Sequence, residues 1–353
     1  MLILAVMNDI GSCKTIFPVG LYLRKIGHKV KFLASGNSLG ILSEEDEKKI
    51  KKGDVKAVVT GMSTDPFEYS VASTWRDKCP IIAIPDQWST PFFSGGWKNR
   101  ECYPDVVCVN DEIGRGAVRS WGFNGFIVET GWPALDVYAD REKWKAKNQE
   151  MREKLYLALK LSLKTKLIFF IGQGSRENAE ALQELLETTA KIGLSVKVIA
   201  MEHPNMRRHE PEGTKFWDRV VGVEEEKGQS LLLKSSGFSS LEVLMAADVV
   251  VSDFSSMLTE AAILGKSVIS VFYPSKRICE IFKKWDWAQN TFPLEALGCC
   301  FKAENRDQLQ EFLERALISG FEFSERAKKV FRLDGKNSAR VAKIVENLAE
   351  CHL

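Results

Sequence analysis

The chain has 353 residues, more than one hydrophobic core usually supports, so we expect two α/β domains of about 150 residues each. Its 49 lysines and arginines nearly balance its 47 aspartates and glutamates, leaving a net charge of +2. This balance excludes a general electrostatic attraction to nucleic acid or to an anionic membrane.

The first predicted element is the apolar run LILAV, which is followed at once by Asn8 and Asp9. It is far shorter than the apolar core of a signal peptide or the roughly 20 residues that span a bilayer, and no other segment is a candidate span. Helical stretches at 14–26, 68–77 and 111–121 then alternate with the runs KVKFL, VKAVVT, IIAIP, DVVCV and FIVET. Such alternation predicts βαβ units and a parallel sheet.

The charged, lysine-rich stretch 139–166 lacks strand character and is our candidate linker. A second alternating series follows, with helical stretches at 176–192, 239–246 and 256–264 and the runs LIFFI, VKVIA, RVVGV, LLL, DVVVS and SVISVF. The tail 304–350 is typical of two or three helices. We therefore predict an N-terminal Rossmann-like domain at 1–140, a linker at 141–165, a second Rossmann-like domain at 166–330 and a terminal helix at 331–353.

The chain has eight cysteines. None lies in a CxxC pair or near a histidine at metal-ligand spacing. We therefore expect reduced thiols in a cytoplasmic protein.

Residues just after strands are the most informative, because open parallel sheets bind ligands beyond the carboxyl ends of their strands. One buried strand ends at Ser252–Asp253, and a helix begins near Ser255 and Ser256. A helix N-terminus carries roughly half a positive charge, so its free N–H groups and these hydroxyls fit a diphosphate. Glu260, about one helical turn further on, is placed to accept hydrogen bonds from both ribose hydroxyls. The alternative is that Ser255 only caps the helix and Glu260 is a solvated surface residue.

Two more loops follow strands of the same predicted sheet. One carries His203, which can donate to a phosphate oxygen or balance the charge of a departing diphosphate. The other carries Gly174, Ser175 and Arg176, a glycine-containing turn with a cationic side chain that suits phosphate. A lone histidine is more often an ordinary loop residue, and the glycine-containing turn is equally an ordinary connection. Three such loops at adjacent strand ends nevertheless favour a nucleotide site.

The order and spacing of these residues resemble the C-terminal half of UDP-N-acetylglucosamine 2-epimerases and related GT-B glycosyltransferases. The likeness is carried by GSREN, EHPNMR and SDFSSMLTEAAILGKSV at 174–178, 202–207 and 252–268, which are similar to an HRREN-like turn, an HPN motif and a segment ending in LGKPV. TGWPALD at 130–136 and LDGKNSARVAKIV at 333–345 are similar to the TGNPxxD segment and to the entry of the terminal helix. The resemblance covers about half of the chain. It implies the GT-B fold, in which two Rossmann-like doubly wound domains face a central cleft and the terminal helix packs back across them.

The SDFSS segment also resembles the TDYSS motif of CDP-glycerol glycerophosphotransferases, which share the GT-B architecture. By this resemblance His203, Ser255 and Ser256 would hold the donor diphosphate and Glu260 its ribose. Arg176 would be a further phosphate or sugar contact. The implied partners are a UDP- or CDP-linked donor and a carbohydrate or polyol acceptor.

The catalytic motifs of the epimerases are missing. The strand IIAIP runs into Asp86 instead of an HxEAGxR turn, and the stretch that follows lacks the PEExNR segment. Gly174 stands in place of the HRREN histidine. Since the residues that would hold a nucleotide are kept, we expect a shared donor site and different chemistry.

The N-terminal half would carry the acceptor in this architecture. Gly11 and Ser12 follow the first strand, where they would allow close approach of a ligand, although a plain turn is the alternative. Asp9 and Asp86 are candidate general bases for an acceptor hydroxyl. We prefer Asp86 because Trp88 beside it suits stacking on a sugar ring. A structural role for Asp86 as a loop cap is an equally good interpretation.

These observations predict an enzyme of the GT-B glycosyltransferase type that acts without a cofactor. It would transfer a sugar or polyol phosphate from a nucleotide diphosphate to an acceptor hydroxyl, as surface polysaccharide or glycoconjugate synthesis requires. Asp86, Asp9 and His203 would be catalytic, and helix termini would replace a metal ion because no Asp-x-Asp motif is present. A 2-epimerase-like enzyme and a non-catalytic nucleotide-binding protein are the alternatives, and a homodimer stays open.

Overall fold

The structure is a computed structural model that describes residues 1–35, 55–63, 65–86, 88, 97, 102–172, 176–202, 211–226, 230–271, 291–321 and 323–351. It divides into two compact units. The first contains the described residues of Met1–Ala139 and Phe331–Leu353, and the second contains those of Asp140–Phe282 and Gln289–Val330.

The first unit is built on a six-stranded sheet in which every described strand pair is parallel. Its strands are β1 (Leu2–Met7), β2 (Lys29–Ala34), β3 (Val55–Thr60), β4 (Ile81–Ala83), β5 (Val106–Val109) and β6 (Phe126–Glu129). They lie in the order β2-β1-β3-β4-β5-β6. Strand β2 therefore lies on one side of β1, and β3 to β6 lie on the other. The strand order reverses between β1 and β3, which is where doubly wound sheets bind ligands.

The helices of the first unit are α1 (Ile10–Lys25), α2 (Phe67–Trp75), α3 (Glu112–Ser120), a 3-10 helix (Pro133–Tyr138) and the C-terminal helix, which begins at Asn337 and ends at Cys351. The C-terminal helix buries its apolar stripe, including Val341 and Val345, in the same core as Ile3 and Ile16. This spacing of three to four residues is typical of one helix face.

Asp136 holds the start of the C-terminal helix in place. Its carboxylate accepts hydrogen bonds from the backbone N–H groups of Asn337 and Ser338, at 2.8 and 2.7 Å. A carboxylate at this position satisfies the free N–H groups of the helix and complements its dipole. The segments TGWPALD and LDGKNSARVAKIV therefore meet within the first unit.

The second unit contains a second six-stranded sheet, again with every described pair parallel. Its strands are β7 (Lys166–Ile171), β8 (Val196–Met201), β9 (Ser230–Leu232), β10 (Val249–Ser252), β11 (Ser267–Val271) and β12 (Phe301–Ala303). The order β12-β11-β10-β7-β8-β9 places the reversal between β7 and β10. The predicted α/β class with two Rossmann-like folds is confirmed.

The helices of the second unit are α4 (Arg141–Ala158), α5 (Arg176–Thr189), α6 (Pro211–Glu226), α7 (Leu233–Ser236), α8 (Ser240–Ala246), α9 (Ser256–Ile263), α10 (Pro293–Ala296), α11 (Arg306–Ser319) and α12 (Ser324–Val330). The C-terminal helix of the first unit, Asn337–Cys351, is numbered α13. Helix α4 occupies much of the candidate linker 141–165. Its Arg152 pairs with Asp248 at 3.0 Å, so this part of the linker is built into the second unit.

One predicted strand is wrong. The run RVVGV at 219–223 lies inside helix α6. Val220 and Val221 share a buried face with Trp217, a spacing of three and four residues that fits a helix. A short β-branched run occurs both in strands and in buried helical turns. Here the run is helical because the longer helix buries one whole face.

The described cysteines, seven in number, are free thiols. Within the described part of the chain, no helix combines the length and the apolar character that crossing a membrane requires.

Candidate functional site

The first polar cluster lies at the switch point of the first sheet, where β1 ends and α1 begins. Asp9 caps α1 by accepting a hydrogen bond from the Ser12 backbone at 2.7 Å. The Ser12 hydroxyl is buried and accepts from the backbone N–H groups of Asn8 and Asp9, at 2.9 and 3.1 Å. This reciprocal arrangement is a capping box. The carboxylate of Asp9 is therefore already engaged in holding the turn.

Glu68 joins this turn to the neighbouring strand. It extends from the first turn of α2 and is fully buried. One carboxylate oxygen accepts from the Asn8 N–H at 3.0 Å, and the other accepts from the Ser63 N–H at 2.5 Å. The loops that follow β1 and β3 are thus fastened to one carboxyl group.

The pKa of Glu68 is raised to about 7: burial raises it most, hydrogen bonds from Ser63 and Ser12 lower it, and the nearby Asp9 carboxylate raises it. Desolvation disfavours the charged form, while N–H donors favour it. Burial is the larger effect. The group that organises the switch point therefore changes its charge near neutral pH.

Gly61 leaves the space in which Glu68 and Ser12 meet. A Cβ atom on Gly61 would lie 2.4 Å from Glu68 Oε1 and 2.5 Å from Ser12 Cβ. These distances are shorter than carbon atoms tolerate, so any larger residue would push the carboxylate or the serine aside.

Asp86 completes the cluster from the end of β4. Its carboxylate lies directly over Gly11, where a Cβ atom would be only 1.8 Å from Oδ2. The structure therefore brings Asp86 against Gly11, the residue before Ser12. Gly11 is required by this close approach, because a side chain there would occupy the position of the carboxylate.

Trp88 does not offer its ring to a ligand, contrary to expectation. Only 2% of its surface is exposed. Its indole N–H donates to the Asp111 carboxylate at 2.8 Å, and its ring lies 6.1 Å from that of Phe331. Asp111 also caps α3 and burial raises its pKa. Trp88 and Asp111 therefore support the site from within the core.

The second polar cluster lies at the switch point of the second sheet. Ser255 caps α9 by accepting from the Met257 N–H at 3.3 Å, and Ser256 is the first residue of that helix. Glu260, one turn further along, is 5% exposed. Glu260 is therefore a buried residue, and its interpretation as a solvated surface residue is wrong.

Asn178 joins the two strand ends at this switch point. From the first turn of α5, its side-chain amide donates to the Asp253 carboxylate at 3.1 Å. The pKa of Asp253 is raised to about 7, mainly by burial; the charge of Glu177 also raises it, and the Asn178 hydrogen bond lowers it. The turn that follows β10 is thus held to the helix that follows β7.

A second hydrogen-bond chain fixes the same turn from the other side. The Ser270 hydroxyl lies 2.7 Å from the Asp253 carbonyl oxygen and 2.6 Å from Glu295 Oε1. One hydroxyl proton serves one acceptor at a time, so Ser270 donates either to the Asp253 carbonyl or to the Glu295 carboxylate. The pKa of Glu295 is raised to about 7, mainly by burial, while the hydrogen bond from Ser270 lowers it.

Arg176 begins α5 but faces another direction. Its Nε pairs with Glu180 at 3.0 Å, and its guanidinium carbon lies 5.8 Å from the centre of the Phe216 ring on α6. The remaining predicted residues Gly174, Ser175 and His203 lie outside the described residues.

Glu68, Asn178 and Asp253 are not among the site residues predicted from the sequence. Asp253 did carry a signal, since it directly follows a buried strand within SDFSS. Asn178 stood within the GSREN segment. Glu68 carried no signal, because its importance depends on which strands are neighbours.

No family model and no curated protein matches this sequence. Among solved structures, the chain is similar to the UDP-GlcNAc 2-epimerase from Methanocaldococcus jannaschii, with a TM-score of 0.66, 15% identity and coverage of 98% of this chain and 100% of that one. It is similar to a glycosyltransferase from Rickettsia africae ESF-5, with a TM-score of 0.64, 15% identity and 98% coverage of each chain.

The wall teichoic acid polymerase TagF with CDPG gives a TM-score of 0.55 and 15% identity, covering 99% of this chain and 88% of that one. At these identities the likeness establishes the fold. The predicted resemblance to UDP-GlcNAc 2-epimerases and GT-B glycosyltransferases is confirmed at the level of the fold.

Proposed function

We propose that this protein is a transferase that takes a sugar or a polyol phosphate from a UDP- or CDP-linked donor and passes it to an acceptor hydroxyl. The observation that carries this proposal is the polar cluster at the switch point of each sheet. Doubly wound sheets bind ligands at these points, and the two clusters differ in what they offer.

The second unit suits the donor. The N-terminus of α9 combines the positive end of the helix dipole with the hydroxyls of Ser255 and Ser256, which would bind a diphosphate without a lysine. Glu260 lies one turn deeper, where its carboxylate would accept from the ribose hydroxyls. His203, Gly174 and Ser175 would complete the phosphate contacts, with His203 balancing the charge of the departing nucleotide.

The first unit suits the acceptor. Asp86 is the preferred general base, because Asp9 is engaged as the cap of α1. Glu68 has a pKa near the operating pH but is fully buried, so it would act by positioning the Asn8–Ser12 turn. Gly11 and Ser12 would lie against the acceptor.

The reaction follows from these roles. The acceptor oxygen attacks the anomeric carbon of a nucleotide sugar, its proton passes to Asp86, and the bond to the nucleotide diphosphate breaks. For a polyol phosphate donor the same oxygen attacks phosphorus and a nucleotide monophosphate leaves. The helix terminus and His203 would stabilise the leaving group in place of a metal ion, and turnover in EDTA would test this.

The proposed setting is cytoplasmic synthesis of a surface polysaccharide or glycoconjugate. The fold similarity to a glycosyltransferase and to a polymerase supports this class. The absence of epimerase-type acids after β4 argues against 2-epimerisation by this chain.

The first test is thermal stabilisation by UDP, CDP, ADP, GDP and dTDP. A ligand that binds only the folded state raises the unfolding temperature by mass action. We expect stabilisation by a uridine or cytidine nucleotide, and its loss in Ser255→Ala and in Glu260→Gln.

The matched control is Ser239→Ala. Ser239 is also a serine N-cap of a helix in the second unit, α8, so its removal lowers stability without touching the switch point. Equal loss of nucleotide binding in this variant, or no stabilisation of the wild type by any nucleotide, would refute the donor site. Conversion of UDP-GlcNAc without an acceptor would establish the epimerase alternative, and binding without any turnover would establish the non-catalytic one.

A further inference from the structure

The two most exposed large apolar side chains among the described residues lie six positions apart in the second unit. Leu157, in the last turn of α4, is 82% exposed, and Leu163, in the turn that enters β7, is 81% exposed. Leu194, in the turn that enters β8, is exposed as well. Single exposed leucines are normal on a protein surface, but a group of them on neighbouring turns marks a contact surface.

Hydrogen bonds hold these turns side by side. The backbone N–H of Lys166 donates to the carbonyl oxygen of Ser195 at 2.7 Å, and the hydroxyls of Thr165 and Ser195 lie 3.1 Å apart. The turn that enters β7 is therefore fastened to the turn that enters β8. Together with the end of α4 they form one surface, residues 157–164 and 191–195, which we call the leucine corner.

The leucine corner lies in a basic part of the chain. The segments 155–166 and 188–197 contain five lysines and no aspartate or glutamate, whereas the whole chain has a net charge of only +2. Lys160 and Lys164 are exposed, and within the part of the chain that the structure describes they form no salt bridge. Their charges are therefore available to an anionic partner outside the protein.

Lys160 occupies a backbone position that normally takes glycine. Its φ is 53°, and no other described non-glycine residue has a positive φ. Its N–H donates to the Leu157 carbonyl at 3.2 Å, and the N–H of Leu161 donates to the Tyr156 carbonyl at 2.9 Å, which is the Schellman pattern of a helix end. Glycine is preferred there because a Cβ atom strains the left-handed conformation. The fold keeps a lysine at a cost in stability, and a role in binding accounts for it.

We propose that the leucine corner docks on the surface of an anionic lipid bilayer. Leu157 and Leu163 enter the boundary between headgroups and acyl chains, and Lys160 and Lys164 face the lipid phosphates. Lysine stems lie along apolar surface while their ammonium groups stay among the headgroups, so one surface satisfies both residue types. A nucleic acid would match the lysines and leave the leucines in water, and an apolar protein partner would leave the lysines without anions.

Docking at this corner leaves the proposed donor turn open. The corner lies at the amino ends of β7 and β8, whereas Ser255 follows the carboxyl end of β10 in the same parallel sheet. Strand β7 has six residues, so these two edges of the sheet are roughly 20 Å apart. The proposal concerns where the protein works and does not depend on the reaction that it catalyses.

Sedimentation with lipid vesicles tests the proposal. We expect the protein to bind vesicles of equimolar phosphatidylcholine and phosphatidylglycerol, to bind phosphatidylcholine alone more weakly, and to lose affinity as salt is raised. Leu163→Ser should weaken binding roughly tenfold or more, because a leucine no longer leaves water on binding. The matched control is Ile318→Ser, which should bind like the wild type. Ile318 is also well exposed, at 68%, but it lies on α11, four residues after Glu314.

Lys160→Gly separates binding from folding. Glycine adopts the left-handed conformation without strain, so this variant should have a higher unfolding temperature than the wild type. It should nevertheless bind anionic vesicles roughly fivefold more weakly, because one charge at the bilayer surface is lost. Weaker binding by a more stable protein cannot come from misfolding.

Four results would overturn the proposal. The wild type would fail to bind anionic vesicles, or Ile318→Ser would lose as much affinity as Leu163→Ser, which would show non-specific adsorption. Weaker binding by Lys160→Gly with none by Leu163→Ser would show a charged patch that does not insert. Dimerisation without vesicles that Leu163→Ser abolishes would assign the leucine corner to a second copy of the chain.

Discussion

The buried carboxyl of Glu68 makes the stability of the first unit depend on pH. Its pKa is raised from 4.5 to about 7 in the folded protein. Between these values the folded state keeps a proton that the unfolded state has released, so stability is highest below the unfolded pKa and falls as pH rises through the folded one. At about 1.4 kcal/mol per pKa unit, the free energy of unfolding should fall by roughly 2.5 kcal/mol between pH 5 and pH 8.

Glu68→Gln removes this dependence, because the amide is neutral throughout. Its single oxygen cannot accept from both Asn8 and Ser63, so one of these buried N–H groups loses an acceptor at a cost of about 1–3 kcal/mol. We therefore expect the variant to be less stable than the wild type at pH 5. By pH 8 the difference should have shrunk by roughly 2.5 kcal/mol, since only the wild type then carries a buried charge.

Urea unfolding followed by tryptophan fluorescence at pH 5, 6, 7 and 8 measures this difference. Asp253 and Glu295 also have a pKa near 7, but they are present in both proteins and their contributions cancel. Glu112→Gln is the control, because Glu112 is an exposed first-turn glutamate of α3. Parallel pH curves for the wild type and Glu68→Gln would refute the reasoning.

Two further variants test the contacts at the switch points. Gly61→Ala should destabilise the protein by about 1–3 kcal/mol in urea unfolding, because its Cβ would collide with Glu68. The control is Gly116→Ala, whose Cβ would have no atom within 4 Å and should cause no such loss. Equal losses in the two variants would contradict the close packing at Gly61. Asn178→Leu removes the hydrogen bond to the Asp253 carboxylate, so its destabilisation of about 1–3 kcal/mol should be larger at pH 8, where Asp253 is ionised, than at pH 5. A loss that is independent of pH would show that Asn178 matters only for packing.

Much of the fold could be predicted from the sequence, since parallel sheets buried on both faces give continuous β-branched runs. LILAV, VKAVVT, LIFFI and DVVVS each correspond to a central strand. The run RVVGV has the same composition, yet it lies in α6. Composition alone did not distinguish this helical run from the strands. What distinguishes it is that Trp217 is buried on the same helix face.

Some residues of the candidate site could be predicted from the sequence, and others could not. Ser255 and Asp86 were predictable, because each lies shortly after a strand and strand ends meet at one edge of a sheet. Glu68 was not, because its role depends on β1 and β3 being neighbours although many residues separate them in the chain. The pairing of Asn178 with Asp253 likewise requires that β10 lie beside β7.

Each sheet has a buried carboxyl with a pKa of about 7 at its switch point: Glu68 accepts hydrogen bonds from the turns after β1 and β3, and Asp253 accepts one from Asn178 on α5. Ionised Glu68 and Asp253 accept most fully and hold these turns best, but each ionised group is also a buried charge that costs stability. The sites should therefore be best ordered above pH 7, while the fold is most stable below it. Nucleotide affinity that rises across pH 7 while the unfolding temperature falls would show this opposition, and parallel trends would exclude it.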